Sequence, residues 1–132
     1  VRVLHLAQAA AWERARQLGE YRGSTLGADL DDVGFVHAST ASQLPAVVAA
    51  LYDGEDLADH VLLVVDVAAC EAAGSPVRWE QASAGQPSYP HVYGPVPVDA
   101  VVEALGVSRD DDGVLVLPDL GGLDVAVSPP RR

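Results

Sequence analysis

Apolar residues fill both faces of the opening segment: over residues 2–7, Val1, Val3 and His5 fall on one side of a strand and Arg2, Leu4 and Leu6 on the other. The period then changes. Residues 8–18 are rich in Ala, Arg and Glu, with Trp12, Ala15 and Leu18 at helical spacing and Gly19 as the stop, which predicts a helix with those three side chains in the core. Residues 21–32 carry Gly23, Ser24, Gly27 and several acidic positions and read as a long surface loop. A buried strand is expected over residues 33–38, followed by cap hydroxyls at residues 39–42 and a helix to about Tyr52, with Pro45 in its first turn.

The nearly continuous apolar run of residues 60–67, HVLLVVDV, has the pattern of a central strand covered on both faces. Residues 77–81 read as a further strand bearing Trp79 and Glu80, and residues 82–90 as a Ser, Gly and Pro loop. Residues 91–93 lead into Gly94 and Pro95, and residues 98–105 fit either a strand or a short helix. In the tail, residues 109–113 form a hairpin-like turn between Val107 and the runs 114–117 and 123–127. This order of elements predicts one α+β domain over residues 1–127 and a frayed end at 128–132.

Composition narrows the function classes. A chain of 132 residues can bury one core, and 8 Lys+Arg against 19 Asp+Glu give a formal charge of −11 that repels an extended nucleic-acid backbone. A small phosphate ligand stays compatible, since one pocket can hold Arg22 or Arg78. The single cysteine, Cys70, cannot form an internal disulfide and reads as structural, which favours a reducing, cytoplasmic setting. No apolar run suggests a membrane span and no signal segment is evident, although the first residue, Val1, suggests a trimmed start.

Candidate chemistry centres on histidine, which can serve as acid, base or neutral donor near neutral pH. His5, His37 and His91 each lie in or beside an apolar strand, so each ring needs partners, and three in one small chain point to a shared cleft. His60, at the start of the central strand, reads as a surface or cap residue. The spacing gives no His-x-His or His-x-x-x-His pair, so no metal is expected. Ser39 and Ser42 lack a nucleophile elbow, and no Rossmann or P-loop glycine motif is present. Glu80, between Trp79 and Gln81 and near Arg78, suits either a surface ion pair or a substrate-orienting acid, whereas Glu13 reads as solvated.

The series HLA, AWERA with GEY, GFVHASTASQ, LLVVDV, RWE and YPHVYGPV followed by VDAVV resembles the bacterial family called domain of unknown function (DUF) 952, from about Val3 to Leu105. The resemblance implies an ADP-ribosyltransferase-like split β-sheet with two or three short helices and a cleft that grips NAD. By that likeness His5 takes the place of a first-strand histidine that holds the ribose and amide. The place of a stacking tyrosine falls near Val36 or His37, and that of a late glutamate near Pro90 or His91, so two of the three transferase residues differ in type. The implied catalytic set is His5, His37, His91 and Glu80, the last as the replacement acid, with ligand contacts from His5, Ser39, Tyr93 and Arg22. The expected ligand is NAD or a related small nucleotide, with ADP-ribosyl transfer or N-glycosidic chemistry; a non-catalytic binding module and an interaction domain with structural histidines are the alternatives.

Overall fold

The computed structural model describes residues 1–25, 28–81 and 83–130. Of the positions expected in loops or in the frayed end, Leu26, Gly27, Ala82, Arg131 and Arg132 lie outside the described residues. The elements in order are β1 (Arg2–Gln8), α1 (Ala9–Leu18), β2 (Glu20–Tyr21), β3 (Gly23–Thr25), β4 (Ala28–Asp29), α2 (Leu30–Val33), β5 (Val36–His37), α3 (Leu44–Leu51), β6 (His60–Asp66), α4 (Val67–Ala72), β7 (Val77–Gln81), β8 (Ser88–Val92), β9 (Val96–Pro97), β10 (Val101–Gly106), β11 (Ser108–Arg109) and β12 (Leu115–Val116). The protein is therefore α+β, with several antiparallel sheets and few helices.

β6 is the centre of a sheet in the order β1-β6-β10, antiparallel on both sides. Alternation along β1 and β6 sends Val3, Ala7, Leu63 and Val65 to one hydrophobic cluster and Leu4, Leu6, Leu62 and Val64 to another. Both faces are covered, which is why these strands read as unbroken apolar runs. The first cluster is closed by Trp12 and Ala15 of α1, Cys70 of α4, and Val36 and Val92 of the second sheet. The second is closed by Leu44 and Val48 of α3, with Tyr52 and Leu57.

The second sheet has the order β5-β8-β7. Beside it, Leu4 of the first sheet and Ser39, two residues past β5, exchange two backbone hydrogen bonds of 2.8 Å each. Next to it the Ala38 amide donates to the Pro90 carbonyl at 3.1 Å, so the same short stretch of chain is tied to β8 as well. α3 is set against this sheet by its own start. The Thr40 amide donates to Gln43 Oε1 at 3.0 Å and the Gln43 amide to Thr40 Oγ1 at 3.3 Å, a reciprocal cap, while Gln43 Nε2 donates to the Ser88 carbonyl at 2.6 Å.

Several expectations are corrected. Four α-helices stand among the described residues instead of two or three, because α2 and α4 span only four and six residues, too short for a helical period to register. The loop expected over residues 21–32 instead includes three short strands' worth of pairing, from Tyr21 to Asp29, and then α2. The strand expected over 33–38 is only Val36–His37, since α2 ends at Val33 and Gly34 leaves it at φ 96°, in the left-handed region open to glycine.

Leu18 is 70% exposed, not in the core. Steps of three residues fall short of a 3.6-residue turn, so the stripe begun by Trp12 and Ala15 rotates into solvent by that point. Residues 82–90 are not all loop, as β8 starts at Ser88, and residues 98–105 combine a 3-10 turn at Val98–Ala100 with a strand. The run 123–127 forms no named strand; Asp124 turns the chain at φ 53°, and Val125 alone bridges Arg2. His60 is buried, its Nδ1 facing the Asp56 carbonyl at 3.2 Å and its ring edge-to-face with Tyr52.

Candidate functional site

Registration of the second sheet sorts its side chains. His37 lies opposite His91, His91 opposite Arg78, and Glu80 opposite Tyr89, so these residues share one face. Phe35 and Tyr93 continue it at two-residue steps from His37 and His91. On the other face Val36, Val77, Trp79 and Val92 pack into the first hydrophobic cluster. The sheet is thus apolar behind and aromatic, acidic and imidazole-bearing in front.

That front face looks onto a cavity of about 600 Å³, lined also by β1 and by α3. Phe35, His37, Glu80, Tyr89 and His91 form one wall, and Leu44, Val47, Ala50 and Leu51 of α3 form an apolar wall. Phe35 stacks on His91 with centroids 4.0 Å apart and planes at 21°, and meets His37 edge-on at 4.7 Å. His37 and His91 are 5.4 Å apart and nearly perpendicular.

Glu80 organises the polar end. Its Oε1 faces His91 Nδ1 at 2.9 Å and accepts the Tyr93 hydroxyl at 2.5 Å. The Tyr93 and His91 hydrogen bonds hold the Glu80 carboxyl below its ordinary pKa, and the same contact raises that of Tyr93. With Nδ1 the donor to Glu80, His91 has Nε2 open, and Glu80 Oε2 likewise has no protein partner among the described residues. His37 is pushed below the usual imidazole pKa by burial and then by His91, so it is neutral near pH 7.

His5 reaches the cavity's edge in a different state. It is 3% exposed; its Nδ1–H donates to the His37 carbonyl, and its Nε2 accepts from the Tyr21 hydroxyl at 3.0 Å. Both nitrogens are committed, and burial pushes the ring's pKa down to about 4. Tyr21, itself buried, has its phenol pKa raised by that burial. Gly23 makes room for it, because a Cβ there would collide with the Tyr21 hydroxyl.

Of the expected site residues, the structure therefore brings His5, His37, Ser39, Glu80 and His91 to one cavity. Tyr93 is not in the lining and donates its hydroxyl to Glu80. Arg22 is not in the lining: its guanidinium pairs with Glu20 at 3.2 Å and Asp31 at 2.7 Å, at a half-exposed surface position. Sequence reasoning missed Phe35, Tyr89, Tyr21 and the apolar wall of α3. The two-residue spacing of Phe35 to His37 and of Tyr89 to His91 to Tyr93 is the signal that could have found most of them. Among the described residues no three His, Cys, Asp or Glu side chains are grouped to hold a metal ion, and no helix is long and apolar enough to cross a membrane.

The fold and the cavity define a small α+β protein whose ligand-sized pocket lies between a sheet and a helix. Residues 6–104, more than half of the chain, match the family described as Protein of unknown function (DUF952), and the chain belongs to that family. The crystal structure of protein CC0527 from Caulobacter crescentus is similar at 30% identity and a TM-score of 0.68, covering 92% of this chain and 96% of that one. The solution NMR structure of CC0527 aligns at 32% identity and a TM-score of 0.65, covering 91% and 93%. No curated protein matches the chain.

Proposed function

We propose that the cavity binds NAD or a related nucleotide, its planar base inside, on an ADP-ribosyltransferase-like arrangement of the two sheets. The observation that carries this reading is the convergence of His37, His91 and Glu80 on one wall of a cavity of about 600 Å³ whose facing wall is apolar. A ligand pocket of this kind combines an apolar body with a few oriented polar groups. The base fits the aromatic wall; the phosphates stay outside the interior, which has no Arg or Lys lining it among the described residues, while Arg78 is exposed on the same sheet face.

Glu80 fixes the His91 ring, as a carboxylate does for a general base. In transfer or N-glycosidic cleavage the bond from ribose C1′ to the base breaks and the base leaves with the electron pair. Water or an acceptor hydroxyl bonds to C1′ and gives its proton to His91 Nε2. His5 serves this reading by positioning, since its two hydrogen bonds hold the His37 backbone and Tyr21. The lone cysteine suits a cytoplasmic setting.

A thermal-shift series with NAD, ADP-ribose and nicotinamide tests the reading. A ligand at about one hundred times its dissociation constant adds about 2.7 kcal/mol to stability. His91→Ala should remove most of that gain, read against the variant's own ligand-free midpoint because the ring also packs on Phe35 and bonds Glu80. Release of free nicotinamide from NAD separates an enzyme from a non-catalytic binding module. If no nucleotide raises the midpoint, the reading fails and the histidines serve packing.

A further inference from the structure

Charge inside the cavity is one-sided. Among the described residues, Glu80 is the only Asp, Glu, Lys or Arg lining it. Its Oε1 is taken by His91 and Tyr93, which fixes the carboxylate in place and leaves Oε2 for a guest. The Glu80 side chain is 37% exposed and that of His91 14%, so the acid stands toward the mouth with the ring deeper in. Around it, Phe35 and Tyr89 offer aromatic surface, and the α3 wall offers no hydrogen-bonding side chain at Leu44, Val47, Ala50 or Leu51.

Both basic residues that could have reversed this balance are held elsewhere. Arg22 is paired with Glu20 and Asp31, and the Arg78 guanidinium sits 5.0 Å from the centre of the Tyr93 ring, outside the lining. An anion entering the cavity would meet a carboxylate of its own sign in apolar surroundings. A cation would meet that carboxylate and π-faces, the two features that recognise organic ammonium and pyridinium groups.

The geometry points to a cavity that selects a flat organic cation and keeps phosphate outside. This rests on the nucleotide reading of the same site and deepens it, by assigning a pyridinium-type ring rather than the ADP portion to the interior. Phe35, Tyr89 and the apolar α3 wall sandwich the ring, and Glu80 Oε2 supplies the counter-charge.

Isothermal titration of the full chain at about pH 8, above the ordinary imidazole pKa of about 6.5, tests this with paired probes. The cation 1-methylnicotinamide should bind at least about tenfold more tightly than neutral nicotinamide, a difference of about 1.4 kcal/mol. Inorganic phosphate and ADP-ribose should not displace it. NAD should outbind NADH, whose dihydropyridine ring is neutral. Glu80→Gln should bring the cation and the neutral ring to within about twofold; should that variant fail to fold, the probe pairs on the parent chain decide alone. Equal affinity for the two nicotinamides, or displacement by phosphate, would overturn the proposal. NAD and NADH binding equally well would overturn it and leave the nucleotide reading standing. Binding of 1-methylnicotinamide with no binding of NAD, NADH or ADP-ribose would do the reverse, and no binding by any probe would end both.

Discussion

The His5 imidazole has both nitrogens hydrogen-bonded inside the protein, to the His37 carbonyl and the Tyr21 hydroxyl. Burial holds its folded pKa at about 4, below the ordinary imidazole value of about 6.5 that applies once the chain unfolds. Between those values the unfolded chain holds a proton that the folded chain does not, so stability is full above about pH 6.5 and declines as the pH falls toward about 4. At 1.36 kcal/mol per unit the loss attributable to this ring is about 3 kcal/mol. Urea midpoints measured across that window should show the decline in the parent chain and a flatter profile in His5→Asn, which should also be less stable at pH 7. Equal slopes in the two proteins would remove His5 from the account. In the sequence the three histidines looked alike. What distinguishes them is a carbonyl 32 positions from His5 and a tyrosine in a stretch that reads as loop, and neither partner is visible before the chain is folded.

α1 shows what a periodic pattern can and cannot give. Trp12 packs in the first hydrophobic cluster with Ala15, as the helical spacing predicts, and Trp12→Ala should cost about 3–5 kcal/mol in chemical denaturation. A midpoint equal to the parent's would mean that the first cluster does not depend on this helix. Long elements with one dominant environment, β1, α1, α3 and β6, were legible in order and type. The two-residue strands β2, β4 and β5 were not, because pairing across the sheet sets them and two residues cannot express a period. The cavity's polar wall was half legible. Its histidines and Glu80 stood out by chemistry, while Phe35 and Tyr89 were hidden by being ordinary aromatic residues on short strands, and Arg22 was misplaced because its acidic partners absorb it at the surface.

For the whole molecule, the central feature is that β1 and β6 belong to both hydrophobic clusters, so neither cluster can loosen without disturbing the shared strands. The cavity occupies the gap between the two sheets' environments, with β1 and α3 on one side and the β5-β8-β7 face on the other. Leu4 and Ser39 are joined backbone to backbone at that gap, and the His5 ring adds a second link to the His37 carbonyl. The Leu4 and Ser39 amides are consequently natural reporters in deuterium exchange: each is bonded across the junction, and each becomes labelled when it parts, even if both sheets stay intact. They should exchange faster than the amides of Leu63 and Val64 at the middle of β6, and a ligand that spans the cavity should slow them selectively. Identical rates at all four amides would show that the sheets separate only when the whole chain unfolds, which would make this junction a clock for global opening instead of a gauge of the pocket.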